Sequence, residues 1–352
     1  MEITRPIELA GNEATTPEGV CASALEPPPP KPKCSMGYRA LGRTGFTVSE
    51  LGHGLWGISD WFGSLEQEAI ATLAQSAAAG CNFFDSAWFY GEGNSDMLLG
   101  NLVRNAQQPI VAASKVPPLI RRFELRPPPA YGDIYPAAHV FAYAEKIRDA
   151  LHVDTIPLLQ FHVWDDRWAV NKEFARTVEK LKHDGIIHSF GLSMQRWQPA
   201  NGIKALKTGL IDCVQAVYNL FDQCAEDEIF PACREMGVGI IARVALDEGS
   251  LGGKMTRETK FPAYDWRSGY FSPERLAATM DRVDRLKEIL PAGMTLPEMA
   301  LRFVLSNCDV DTVIVGMRRP EHLQANLRYV AGGALDADLL SELKKHRWDR
   351  SS

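Results

Sequence analysis

From Gly37 onward, short apolar runs alternate with stretches whose apolar residues recur at helical spacing. The runs predict strands near Val48–Leu51, at Phe83–Phe84, Pro109–Val116, Ile156–His162, His188–Ser193, Cys213–Asn219, Val238–Val244 and Asp311–Gly316. The periodic stretches predict helices over Leu65–Gly80, Ser95–Leu102, Ala137–Leu151, Glu173–His183, Pro199–Thr208, Glu226–Met236, Pro273–Leu290, Leu296–Ser306, Pro320–Tyr329 and Asp336–His346. A hairpin is expected around Gly42–Gly45, ahead of the first strand. Most runs are apolar throughout rather than alternating, which is how strands covered on both faces read. Eight such strands with helices between them predict an α/β fold, a single (β/α)₈ TIM barrel with an N-terminal hairpin and extra C-terminal helices. A doubly wound sheet is the alternative, but no G-x-G-x-x-G follows the first strand to support it.

The first 35 residues break this pattern. They hold no apolar period and include PPPPKPK, so residues 1–35 read as a solvated, disordered tail ahead of a barrel domain at 36–352. Met36 offers an alternative start of translation. With no basic segment leading into an apolar core, no secretion signal is expected. At 352 residues and a net charge of −6, the chain can bury a large core and carries no long basic block. A dedicated nucleic-acid or polybasic membrane surface is therefore not expected, nor is a spanning helix. The seven cysteines are scattered without a C-x-x-C pair, which argues against a disulfide framework or a zinc site and for a reducing cytoplasm.

The chemistry concentrates in NFFDSAWFYGEGNSDMLLG, residues 82–100. Asp85 ends an apolar run, and Tyr90 follows in the loop. Lys115 and His162 end the next two predicted strands. Strand C-termini of a barrel converge on one face, so these four groups are expected in one mouth. A free phenol, with a pKa near ~10, is a poor acid at neutral pH. A lysine ammonium beside it favours the phenolate; Asp85 would hold that ammonium, and His162 would orient a carbonyl oxygen. Together they read as a proton donor aimed at a developing alkoxide, with a hydride donor alongside. A second reading makes Lys115 a Schiff-base amine, which a charged lysine beside Asp85 disfavours.

These segments resemble the aldo-keto reductases. GCNFFDSAWFYGEG is similar to that family's aspartate-to-tyrosine segment, SKV at 114–116 and LLQFHVW at 158–164 to those holding its lysine and histidine. The likeness continues through GLS at 191, VQAVYN at 214, LDEGSLGGK at 246 and VIVGMRRPEHLQAN at 313. The resemblance implies an NAD(P)H-dependent oxidoreductase that reduces an aldehyde or ketone reversibly. Tyr90 would be the general acid, Lys115 would lower its pKa, Asp85 would support Lys115, and His162 would orient the substrate.

For the cofactor, the resemblance implies Ser193 and Gln215 at the carboxamide, with Met194 standing where the family usually has Asn. Arg243 takes the place of an aromatic ring that stacks on the nicotinamide; Leu246, Gly249, Leu251 and Lys254 match the loop over the pyrophosphate. Arg318, Arg319, His322 and Asn326 match the segment around the 2′-phosphate and adenine; Leu55, Trp56, Asp85 and Gly316 complete the expected contacts. The paired arginines favour NADP(H) over NAD(H). Trp56, Trp88, Phe89 and Trp164 are the expected substrate pocket. Phe261–Phe271 reads as an added loop over substrate or cofactor, or a subunit contact. The competing function is a slow or non-catalytic nicotinamide-binding subunit resembling potassium-channel β subunits. Substrate identity and oligomeric state are not legible in the residues.

Overall fold

A computed structural model describes residues 36–58, 66–120 and 129–350; the expected tail at 1–35 lies outside the described residues. The strands are β1 Tyr38–Ala40, β2 Thr47–Ser49, β3 Leu51–Gly54, β4 Phe83–Asp85, β5 Val111–Val116, β6 Ile156–Phe161, β7 Ile187–Ser193, β8 Cys213–Val217, β9 Gly239–Arg243 and β10 Thr312–Gly316. The helices are α1 Glu66–Ala78, α2 Asn94–Asn105, α3 Tyr131–Ile134, α4 Ala137–Leu151, α5 Lys172–His183, α6 Ile203–Leu206, α7 Ile229–Met236, α8 Arg267–Tyr270, α9 Pro273–Glu288, α10 Leu296–Ser306, α11 Pro320–Val330 and α12 Ala337–Lys344. Strands β3 to β10 pair in parallel in chain order, and β10 closes on β3. The chain is a (β/α)₈ barrel with a two-stranded antiparallel hairpin, β1–β2, in front of it.

Helix ends follow local chemistry. Asn171 caps α5 by accepting from the amides of Glu173 and Phe174. Ser272 and Thr295 cap α9 and α10, each with proline in the first turn, where its missing N–H costs nothing. Apolar faces of these helices pack on the outward residues of the barrel, among them Leu51, Phe84, Leu159, Phe190, Val214 and Ile240. Each such side chain contributes about 1.5–3 kcal/mol on burial.

Inside the barrel, side chains alternate with period two along each strand. Phe83, Val111, Ala113, Leu158, Cys213 and Ile241 form a separate inner apolar cluster. Leu41 and Val48 of the hairpin region join it, with Phe46 packed against it, so the hairpin plugs the floor. The plug sits tight: a Cβ on Gly42 (φ +48°) would lie 2.1 Å from the Gly239 amide nitrogen, so only glycine fits this turn. Two residues further along the same strands the inward positions are Asp85, Lys115, Gln160, Gln215 and Arg243. The floor is apolar and the mouth is polar.

Three details differ from the sequence expectation. The segment near Val48–Leu51 is divided: β2 pairs with β1 in the hairpin, and the barrel's first strand begins at Leu51. The predicted helix over Pro199–Thr208 is α-helical only at Ile203–Leu206, with turns before it. The one over Glu226–Met236 begins as a 3₁₀ turn at Cys224–Glu226 and becomes α-helical at Ile229. Short apolar periods do not reveal a broken first turn.

Candidate active site

Asp85 is the last residue of β4, and the chain after it stays hydrogen-bonded to β5. The Ser86 amide donates to Ala113 O at 2.8 Å and that of Trp88 to Lys115 O at 3.3 Å. The chain then folds into a compact turn. The Tyr90 amide donates to Ala87 O at 2.9 Å, and the Gly93 amide to Trp88 O at 2.8 Å. Gly91, Glu92 and Gly93 all lie at positive φ, two of them glycines that adopt it freely. The Ser95 amide donates to Tyr90 O at 3.1 Å, which ties the turn to the start of α2. This turn hangs the Tyr90 ring beside the strand ends.

The Lys115 ammonium donates to Asp85 Oδ2 at 2.6 Å and to Ser86 O at 2.8 Å, with both side chains buried. It also sits 5.3 Å from the centroid of the Tyr90 ring. His162, immediately after β6, meets Tyr90 edge to face at 5.8 Å between centroids. Asp85, Tyr90, Lys115 and His162 are thus brought together. Gln215 Nε2 donates to Asp85 Oδ1 at 2.8 Å, and Gln160 Nε2 reaches the same oxygen at 3.3 Å. The carboxylate therefore takes hydrogen bonds on both oxygens, which a buried charge requires.

Electrostatics divide the roles. Burial pushes the Tyr90 phenol well above its usual range, with the Asp85 charge adding to the rise; Arg243 is the cation that opposes it. The net direction is therefore opposite to the lowering expected from a neighbouring ammonium, because burial of the phenol dominates and the Lys115 ammonium is engaged by Asp85. Burial likewise lowers Lys115 against the opposing pull of Asp85. His162 is held well below the ordinary imidazole range by burial, then by Lys115 and Arg243, so its ring is neutral at pH 7.

Among the expected cofactor residues, Ser193 and Gln215 lie opposite each other at the ends of β7 and β8, both buried. Arg243 ends β9, and its Nη2 donates to Met194 O at 2.9 Å. Among the described residues, Arg243 Nε and Gln160 Oε1 are buried without a hydrogen-bond partner, which suits a polar ligand in the mouth. Leu55 is buried; Trp56 and Leu246 are half-buried, and so is Gly249. Leu251 is buried, whereas Lys254 and Gly316 are exposed. Burial lowers His322, and the nearby Lys254, Arg318 and Arg319 charges add to it. Asn326 is buried on α11 behind this group. The charges of Lys254, Arg318 and Arg319 thus act near His322, and a group of cations of this kind suits an anion.

Trp56, Trp88 and Phe89 are half-buried. Phe89 meets His162 edge to face at 5.8 Å, and Trp56 meets Trp266 of the 261–271 segment at 6.0 Å. Trp164 does not join them. It is 1 % exposed, stacks among Phe161, Trp168 and Phe174, and donates its indole N–H to Asp166. The expectation that it lines the mouth is corrected: it belongs to the core between barrel and helices.

The sequence model of the aldo/keto reductase family matches residues 50–347. The chain belongs to the aldo/keto reductase family. It is 25 % identical to the NADH-specific methylglyoxal reductase of Escherichia coli, over 85 % of this chain and 94 % of that protein. It is 28 % identical to the pyridoxal 4-dehydrogenase of Microbacterium luteolum, over 82 % of this chain and 91 % of that one. An aldo-keto reductase of Bacillus halodurans in its holo form superposes with a TM-score of 0.72 at 25 % identity, covering 90 % of this chain and 98 % of the other. These likenesses extend through the barrel, so family membership does not rest on one motif.

Residues that sequence reasoning passed over also face this region. Gln160 was hidden in an apolar-looking run, yet it shares inward parity with Leu158 and His162. On the outward side, His53 and Asp96 are wholly buried, and among the described residues the His53 ring nitrogens have no hydrogen-bond partner. Burial lowers His53 to about 3 and raises Asp96 to about 6, the latter eased by the nearby Ser86 and Ser114 hydroxyls.

Proposed function

We propose that this aldo/keto reductase reduces an aldehyde or ketone to the alcohol, reversibly, with Tyr90 as proton donor. The nicotinamide supplies the hydride when bound. The carbonyl oxygen is received between the Tyr90 hydroxyl and the neutral His162 ring, whose N–H can donate to it and fix its direction. As negative charge develops on that oxygen, the Tyr90 proton passes to it. The phenolate left behind is met by the positive charges of Lys115 and Arg243. Asp85 holds the ammonium in place, and Gln215 and Gln160 hold Asp85. The observation that carries this reading is the 2.6 Å Asp85–Lys115 pair seated 5.3 Å from the Tyr90 ring, with His162 on the same mouth. Positioned proton transfer of this kind contributes ~10²–10⁴-fold.

Ser193 and Gln215 would hold the carboxamide, Arg243 would lie against the ring, and the loop from Leu246 to Lys254 would cover the pyrophosphate. Leu55 and Trp56 would border the nicotinamide end, and Gly316 would give the adenosine half room to approach. The basic group formed by Lys254, Arg318, Arg319 and His322 supports NADP(H), since a 2′-phosphate needs that charge. The E. coli relative is named for its specificity for NADH, so both cofactors belong in the test. Trp56, Trp88 and Phe89 would give the substrate apolar walls. The scattered thiols suit a reducing cytoplasm, and no described helix is long and apolar enough to cross a membrane.

The experiment is a panel of carbonyls and alcohols followed at nicotinamide absorbance with each cofactor. Reduction of carbonyls by NADPH in preference to NADH is expected. Absence of turnover across the panel, with cofactor bound, would overturn the enzymatic reading.

A further inference from the structure

Away from the tetrad, the loop that follows β9 is held in a conformation its residues resist. Val244, Asp247 and Glu248 all lie at positive φ, at 59°, 44° and 56°. For a β-branched residue such as Val244 that region is a true outlier, and it persists only where the surroundings over-determine it.

What surrounds it is a buried ionic cluster drawn from distant parts of the chain. Arg196, in the loop after β7, donates to Asp247 Oδ1 at 2.6 Å, to Glu248 Oε1 at 2.8 Å and to Asp222 Oδ2 at 3.0 Å. Arg350, six residues beyond the end of α12, donates to Asp247 Oδ1 at 2.8 Å and through Nε to Asp222 Oδ1 at 3.2 Å, and its Nη2 also reaches Asp222 Oδ2. Its side chain is only 3 % exposed. Asp222 and Asp247 therefore share two guanidiniums, while Glu248 pairs with Arg196 and also feels the Arg243 charge. Asp247 otherwise has Ser250 Oγ at 2.6 Å.

The other contacts of the segment that brings Arg350 lie outside the loop, where Trp348 packs against Phe221 and under the Arg282 guanidinium. The Trp348 amide donates to Phe221 O at 2.8 Å, the Arg350 guanidinium lies 4.9 Å over the Trp348 ring, and Arg347 pairs with Asp227 at the surface. A surface pair of that kind adds little. Arg350 is thus the charged link between this strap and the loop.

We propose that Arg350 is a positioning residue: the C-terminal strap latches the Val244–Gly249 loop in its strained form and thereby sets the rate at which cofactor leaves. The second half of this rests on the proposed function, which places that loop over the cofactor's pyrophosphate. Withdrawing Arg350 leaves the buried Asp222 and Asp247 to share Arg196 with Glu248, so the loop relaxes toward unstrained backbone and opens.

The test uses the full chain with Arg350→Gln, Arg350→Lys and, as a control on the strap's surface pair, Arg347→Gln. Amide exchange is measured without cofactor, and NADPH dissociation is followed by its fluorescence. In Arg350→Gln, exchange of residues 244–252 rises at least roughly tenfold with the barrel strands unchanged, and dissociation accelerates at least roughly tenfold. Arg350→Lys falls between, because an ammonium lacks the fork that spans both aspartates. Arg347→Gln leaves both readouts near wild type. No local change in exchange, or a uniform rise through the barrel, overturns the latch. Local loosening with unchanged dissociation overturns its link to the cofactor while leaving the reductase reading intact. Should Arg350→Gln fail to fold, Arg350→Lys carries the same comparison. A wild-type protein that binds neither NADPH nor NADH sinks the cofactor role itself, and the exchange data alone then decide whether the strap holds the loop.

Discussion

The two ends of the barrel interior use the same strands for opposite purposes. At the floor, Phe83, Ala113, Leu158, Cys213 and Ile241 meet the hairpin plug in an apolar cluster. Two residues along the same strands, Asp85, Lys115, Gln160, Gln215 and Arg243 face the mouth. The floor needs only volume and apolarity, so it contributes stability directly. The mouth buries charge, which costs stability unless every partner is present. Polar residues kept there at such cost point to chemistry, and mutation at the two ends should differ in its effect on turnover.

The largest expected effect is at the mouth. Lys115→Met leaves Asp85 buried without its cation, which destabilises by about 3–5 kcal/mol and removes ~10²–10⁴-fold of turnover. Urea unfolding and steady-state rates on one preparation check both. Adding Asp85→Asn should restore much of the stability and none of the activity; recovery of activity would make the pair merely structural. At the floor, Leu158→Ala creates a cavity worth about 2–5 kcal/mol, with the turnover of the folded protein unchanged. A comparable loss of turnover would show that the floor also shapes the site.

A smaller effect sharpens the contrast from outside the barrel. His53 sits between barrel and helices, stacked 5.8 Å from Phe84, with its pKa lowered by burial to about 3. A folded-state pKa below the unfolded value means that the folded protein binds fewer protons in that window. Its stability is full above about pH 6.5 and falls as acid is added, by on the order of 3 kcal/mol at pH 4. His53→Phe should flatten that limb in thermal melts between pH 4 and pH 7. An unchanged slope would show that other groups carry the acid response.

Much of the floor and mouth was legible in the residues, because continuous apolar runs mark covered parallel strands and polar residues at their ends stand out. Asp85, Lys115 and His162 were visible in that way, and Tyr90 through its place in the glycine turn. Gln160 was not, since a run scored as apolar conceals the parity that sends one residue inward. His53 and Asp96 were not, because nothing in a sequence tells which polar side chain will be wholly buried. Trp164 misled for a related reason: adjacency to His162 says nothing of direction, and its ring turned into the core. The ionic cluster around Arg350 joins residues 103 and 128 positions apart, a separation no local pattern reports.

Tyr90→Phe tests the central claim most directly, by single-turnover reduction of a carbonyl found in the panel together with NADPH affinity on the same sample. The expected result is a loss of at least about a hundredfold in the chemical step, with affinity and fold retained. Turnover near wild type would contradict the assignment of the phenol as proton donor and leave the mouth without its acid.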